Sequence, residues 1–557
     1  MELTYWVLLI LAVVYVPIYI WVWRSPNAYI YGPRKYSRRV KITMRLGPRY
    51  FRLCNKIRKW PNANGYNLYK YGPCVMIRTR LGIRLMDRWS KYRRFWRFFG
   101  VFSIIVSFGL MAFIVYIMVV GLLNIPTSLN NSGLGIEYAL AIPGINPLMS
   151  GEFFWYAILG LFVAMVIHEL AHGFQTRAND MRVDSTGALY GVVPLGAFVE
   201  PNEKDIEKSS RRAKLDLYSA GITVNFLGAA VAFFIFAILM MGGISSDFGD
   251  NTAVYKVSEN SPALEGGIPA SAIILSVDGQ DYNYYGTRTV DFSPGSLVEV
   301  KYLTENHNSE PLSTTIQWGV YIEYISEGSP ADGKLEAGTF IRSITIDGNK
   351  SQFYDTVEFL SFMQTTSPGD VATIEYVSRG DSNSSIDVSS TEVMITLGNN
   401  GGIGYIGIGN STSGMSITTP NIVLETGRNP IYGADGIIGA GKSLMGYITG
   451  PMVGYSPIPS GTHWWYDVPM GGAFWILVSV FYWIFWLNVM LGVSNAIPAI
   501  PFDGGFIFHN GFNALLERLG MKEDKKREEL ASRITNSLSM IMIVLLIVVI
   551  AVAVIPR

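Results

Sequence analysis

FVAMVIHELAHGFQTRAND, Phe162–Asp180, begins apolar enough to lie in lipid and then presents His168, Glu169 and His172. Ionisable side chains are costly inside a bilayer and are retained there for a function. His168 and His172 stand four residues apart, so on a helix both imidazoles leave one face, one turn apart. Two imidazoles placed that way can share a zinc ion, and Glu169 between them can take a proton from an attacking water. The chain has only five histidines, which gives weight to finding two of them here. Two hydrogen-bonded helix histidines near a membrane interface are the bland alternative, and it leaves the polar cluster without a reason to be in lipid.

Working outward, 49% of the 557 residues are hydrophobic and 16% charged, and mean hydropathy is positive. Much of the chain therefore belongs in lipid, and its length allows several domains. Apolar runs of the length a bilayer crossing needs occur near 3–23, 99–123, 153–174, 215–241, 473–494 and 537–555. The first carries Glu2 and lacks a basic start, so it reads as a retained anchor. Cys54 and Cys74 build no disulfide framework and read as reduced thiols.

Residues 24–97 carry 21 Lys and Arg against Asp87 alone, an excess that belongs in the cytoplasm. Counting spans from there places 124–152 outside, 175–214 inside, 242–472 outside and 506–536 inside. Over 245–425, 23 acidic residues face seven basic ones, as an exterior region permits. His168 and His172 then lie toward the cytoplasmic end of their span. The aromatic, basic 24–97 segment suits anionic lipid headgroups better than nucleic acid, so no nucleic-acid partner is expected.

The external region repeats itself. VYKVSENSPALEGGIPASAIILSVDGQ (254–280) is echoed by VYIEYISEGSPADGKLEAGTFIRSITIDGNK (320–350), each with a strand, Ser-Pro-Ala, a glycine-bearing segment and a second strand closing on Asp-Gly. The pattern resembles PDZ domains of membrane-associated proteases, with Ala272 and Thr339 where that family usually has Asp. PDZ units bind extended peptides by strand addition; a mere spacer is the alternative. The first copy is shorter than the second.

A catalytic zinc usually takes a third protein ligand and leaves a position for water. LNVMLGVSNAIPAIPFDGG (487–505) ends the fifth span on the same side as the histidines and contains Asp503. Pro498 and Pro501 bar a regular helix, while Gly504 and Gly505 allow tight turns. Broken backbone at membrane depth is tolerated where protein or a polar cavity satisfies it, and a carboxylate can be presented there. Asp503 is the favoured ligand, with His509 as its rival.

HELAHG together with NAIPAIPFDGG resembles the site-2 protease family of intramembrane metalloproteases. That resemblance implies Zn2+ held by His168, His172 and Asp503, catalytic Glu169, and substrate-contacting Asn495; Phe502 stands where the family usually has Leu. GALYGVVPLGAFVEP (187–201) resembles the family's re-entrant β-hairpin, whose unpaired edge holds substrate as a strand. This implies substrate contacts at Gly191, Pro194, Gly196 and Phe198. SAGITVNFLGAA (219–230) resembles an Ala-Gly-Pro-x-x-Asn-Phe motif with Ile222 in place of Pro, giving Asn225 a structural role beside Pro498, Pro501 and Gly504. The match is strong over 153–241 and 473–510, and absent over 1–150 and 511–557.

The expected fold is a polytopic α-helical membrane protein of about six transmembrane helices, with a re-entrant β-hairpin and an extracytoplasmic, β-rich tandem PDZ insertion. Its divisions are an anchor (1–23), a basic cytoplasmic segment (24–97), a span with an external loop (98–152) and the first catalytic half (153–241). Repeats at 245–318 and 319–412 follow, then an external or interfacial linker (413–472), the second catalytic half (473–510), and a cytoplasmic segment with the last span (511–557). The resemblance implies an intramembrane endopeptidase in a prokaryotic cell membrane. It would cut single-pass transmembrane proteins, anti-sigma factors or membrane-bound transcription regulators among them, after a first external cleavage, with a peptide segment at the PDZ repeats. A zinc transporter carrying His-Glu-x-x-His, and an inactive PDZ scaffold, are the rival classes.

Overall fold

The computed structural model describes residues 67–71, 74–123, 153–190, 194–285, 291–380, 390–449 and 458–554. The expected anchor at 1–23, residues 24–66 of the basic segment, the loop at 124–152 and Gly191 lie outside them. The chain forms two compact units. One comprises Met1–Ile238, Met452–Gly454 and Ile476–Arg557; the other comprises Leu239–Pro451 and Tyr455–Trp475.

The first unit opens with strands β1 (Asn67–Tyr71) and β2 (Cys74–Thr79), then helices α1 (Ile83–Trp89) and α2 (Arg93–Leu123). Helix α3 (Phe154–Ala178) carries the histidines, and β3 (Val183–Tyr190) and β4 (Pro194–Pro201) follow it. A short α4 (Glu203–Lys208), capped by the Asn202 side chain on the Asp205 N–H, leads into α5 (Arg211–Met241). The expected hairpin is part of a larger sheet of order β1-β2-β3-β4. β2 pairs with β3 from Val75↔Tyr190 to Thr79↔Thr186, so β4 is left as an edge.

The second unit holds the repeats. The first copy runs through β5 (Ser245–Ser246), β6 (Thr252–Val257), α6 (Pro262–Glu265), β7 (Ile273–Val277), β8 (Gln280–Asp281), β9 (Ser296–Thr304) and β10 (His307–Trp318). The second runs through β11 (Val320–Ile325), β12 (Phe340–Ile346), β13 (Asn349–Gln352), α7 (Thr356–Met363), β14 (Val371–Val377), β15 (Thr391–Thr396), β16 (Gly398–Asn400), β17 (Ile403–Tyr405) and β18 (Ile408–Thr412). Then come β19 (Met415–Thr418), α8 (Pro420–Arg428), α9 (Gly436–Thr449) and β20 (Tyr466–Asp467).

The boundary expected at 412 needs correction. β19 pairs with β6 just as β18 pairs with β11, so the second copy is nested inside the first. The equivalence reaches single hydrogen bonds. Ser258 N–H donates to Gly414 O as Ser326 N–H donates to Gly407 O, and Ala263 N–H donates to Ser413 O as Ala331 N–H donates to Ile406 O. Gly414 and Gly407 both have positive φ and lie against Ser261 and Ser329, the serines of the two Ser-Pro-Ala motifs. Each copy keeps its own core: Val254, Ile274, Val300, Trp318 and Met415 in one, Ile322, Ile344, Phe359 and Ile374 in the other. The first copy looks short in sequence because its closing strand comes last.

Residues 413–472 are accordingly more than a linker. Buried Trp465 donates its indole N–H to Ser271 O, Tyr466 donates to Pro420 O, and β20 pairs with β5.

The chain returns to the first unit through α10 (Gly472–Asn495), α11 (Asp503–Arg518) and α12 (Asp524–Val554). Among the described residues, α2, α3, α5, α10 and α12 are long and apolar enough to cross a membrane. The charged start of the last segment, DKKREEL, is helical from Asp524 and not a loop before a span at 537. Its Lys, Arg, Glu and Leu are good helix formers, and Arg527 reaches back to Asp524. Between α10 and α11, Ala496, Ile497 and Ala499 pack with Met111 and Ile114 of α2, Ile222 of α5, Ile507 of α11 and Met542 of α12. Ser539 accepts the Ile500 N–H. The interrupted link around Pro498 and Pro501 is thus held from four helices and presents the residue that follows it.

Candidate metal centre

That residue is Asp503, in the first turn of α11. Gly504 behind it has no room for a side chain, since a Cβ would sit 2.4 Å from Ile497 O and 2.6 Å from Ala496 O. The helix start can therefore press directly on the link. Asp503 Oδ2 lies 3.2 Å from His168 Nε2 and 3.2 Å from His172 Nε2, and the two Nε2 atoms are 3.1 Å apart.

This triangle has a chemical meaning. Tetrahedral zinc with ligand bonds of about 2.0–2.1 Å sets its ligand atoms roughly 3.3 Å from one another. His172 Nδ1 is 2.7 Å from Leu217 O; donating there, the ring turns the lone pair of Nε2 into the triangle, the usual arrangement for a metal-binding imidazole. Both histidines are buried, and Asp503 Oδ2 has no hydrogen-bond donor. An orphaned carboxylate oxygen facing two buried imidazole nitrogens fits a divalent cation of zinc type. Among the described residues this is the one group of three such ligands.

His509, the rival ligand, sits elsewhere: its Nε2 is 2.9 Å from Glu528 Oε1. Glu169 accepts a hydrogen bond from the backbone N–H of Val199 on β4 at 2.7 Å. The helix that carries the two imidazoles thus reaches the sheet edge through its carboxylate. Val199 carried no sequence signal, because its backbone and not its side chain makes the contact.

The remaining expected site residues distribute as follows. Asn495 closes α10 with its amide donating to Leu491 O of its own helix. Asn225 is fully buried on α5 with no partner for either amide atom, across from Gly492 of α10. Pro194 begins β4, Gly196 faces Met165 of α3, and the Phe198 ring lies over Gly187 of β3. Gly221, within SAGITVNFLGAA, has no room for a side chain: a Cβ there would stand 2.6 Å from both His168 Cε1 and His172 Nε2. Its absent side chain is space the imidazoles use.

A family model described as Peptidase family M50 matches residues 156–546, a span that contains both halves of the ligand set and the repeats between them. A stretch of 151 residues is 26% identical to the protein described as "Uncharacterized protein MJ0971" of Methanocaldococcus jannaschii. It covers 26% of this chain and 38% of that relative, so the likeness spans well under half of either. The chain belongs to peptidase family M50, the site-2 protease family of membrane metalloproteases.

Proposed function

We propose that this protein is an intramembrane zinc metalloendopeptidase that hydrolyses peptide bonds within transmembrane segments of single-pass proteins. The observation that carries the reading is the convergence of His168, His172 and Asp503 donor atoms beside Glu169, which itself contacts an edge strand. A helical amide is shielded by its own hydrogen bonds, so a substrate helix unwinds locally and pairs with β4 as an added strand. Glu169 takes a proton from the attacking water and delivers it to the leaving nitrogen. His168, His172 and Asp503 would hold a zinc ion, which when bound would supply Lewis-acid polarisation and lower the pKa of a water molecule. Asn495 turns from Leu491 O to hold the unwound backbone.

The repeats act as PDZ units that bind or filter the substrate's outer portion, admitting proteins already trimmed outside. Anti-sigma factors and membrane-bound transcription regulators are the expected substrate classes. The test is cleavage of a tagged single-pass reporter by the full-length, zinc-loaded protein in proteoliposomes. Glu169→Gln should lower the rate by roughly 10²–10⁴-fold while zinc content stays unchanged. Undiminished cleavage by that variant would sink the proposal.

A further inference from the structure

β4 has one covered side and one free side: β3 pairs along the first, and no strand among the described residues pairs along the second. Its terminal residues are Pro194 and Pro201, which have no N–H to offer. Within a strand, successive residues aim their backbone groups alternately to the two sides. From Leu189↔Gly196 to Thr186↔Val199 the register with β3 is unbroken. Val199 aims its N–H away from β3, because it donates to Glu169 Oε2. Ala197 therefore aims its N–H and C=O to the same free side, one pairing step earlier.

We propose that the Val199 amide is the positioning donor for Glu169, and that this same contact ends substrate pairing along β4 at Ala197. The inference rests on the protease reading and names how that site sets its register. A carboxylate has two oxygens; with Oε2 held by Val199, Oε1 faces the water whose proton it takes. Helix α3 and β4 are kept at fixed spacing by close packing, since Gly173, one turn on from Glu169, lies against Val199 Cγ1 and the Met86 sulfur. A substrate strand bonded to Ala197 meets the Glu169 carboxylate at the next outward position. Pairing cannot continue without removing the base, so the amide just beyond the last pair is the one brought to it. A segment slipped forward by two residues displaces Glu169 and is not cut.

The experiment uses the full-length, zinc-loaded protein in lipid with a single-pass reporter that the wild type cleaves. One variant replaces Val199 by its α-hydroxy acid, which exchanges the amide for an ester, deleting the N–H and weakening the Phe198 carbonyl as an acceptor while keeping the side chain. A second is Val199→Pro, compatible with an edge strand because the lost N–H is not in the β3 ladder. The expected result for both is a kcat lower by roughly 10- to 100-fold with KM within about twofold. Product ends should spread by two residues, and the cobalt-loaded absorption spectrum should be unchanged. Ala197→Pro, which removes a donor meant for substrate, should instead raise KM. A normal kcat with a single cut site in the ester variant overturns the inference, as does a rise in KM alone. If the proline variant fails to fold, the ester variant decides. Failure of the wild type to cut any transmembrane reporter removes the protease reading and this inference with it, an outcome distinct from a normal ester variant.

Discussion

Gly221 illustrates how the metal centre depends on something missing. Both imidazoles occupy the volume that a Cβ on α5 would fill, and the α5 carbonyl at Leu217 orients one of them. Gly221→Ala is expected to push the rings apart and weaken zinc binding by roughly 10- to 100-fold, the usual cost of disturbing groups that orient a ligand. Competition with a calibrated chelator measures this. The same assay separates Asp503 from its rival: Asp503→Ala should lose zinc, whereas His509→Ala should keep it, because His509 is engaged with Glu528. Equal losses from both would mean the ligand set is wrong.

At the scale of elements, the two repeats can be told apart by one glycine each. Gly414 and Gly407 combine positive φ with direct contact on a buried or half-buried serine, so a methyl group at either meets both backbone strain and a steric clash. Gly414→Ala should destabilise the first copy by about 1–3 kcal/mol and Gly407→Ala the second. Hydrogen exchange of the full chain reads this directly: protection should fall in β6 and β7 for the first variant and in β11 and β12 for the second. If Gly414→Ala loosens only the second copy, the nested pairing is wrong.

The unit that holds the repeats also carries an acid response. His463 stacks on Trp475 with ring centroids 4.0 Å apart, and burial lowers its pKa to about 4, against a weaker opposing effect of the Ile458 backbone. Above its unfolded value near 6.5, both states hold a neutral ring and nothing is lost. As pH falls toward 4 the unfolded chain takes up the proton first, so stability declines through that window and levels off below it. The loss should be roughly 1–2 kcal/mol after solvent screening. Exchange protection across 460–475, corrected for intrinsic rates, should fall from pH 7 to 4 in the wild type and stay nearly flat in His463→Phe. Glu375 responds over a lower window: the bond from Lys350 holds its pKa down to about 2, so its contribution is full above the ordinary value of 4.5 and is lost progressively as pH falls from there toward 2. For the membrane as a whole, single cysteines introduced at Asp347 and Lys522 of a cysteine-free chain test the orientation. An impermeant thiol reagent applied to intact cells should label the first and not the second.

The amino-acid sequence by itself determined the membrane character, the existence of the later apolar spans, the His168–His172 pair and the candidacy of Asp503. Each is local information: hydropathy is a property of a short run, and a four-residue spacing fixes which helix face two side chains share. The internal repeat was legible for the same reason, since Ser-Pro-Ala and Asp-Gly recur at matching offsets. Tertiary structure alone decided the rest. It joined β2 to the hairpin, brought β19 back to β6, carried the charged 524–536 segment into α12, and set Val199 N–H on Glu169. Strand pairing between distant segments and contacts made by backbone atoms leave little trace in side-chain pattern, because any residue supplies the same N–H and C=O.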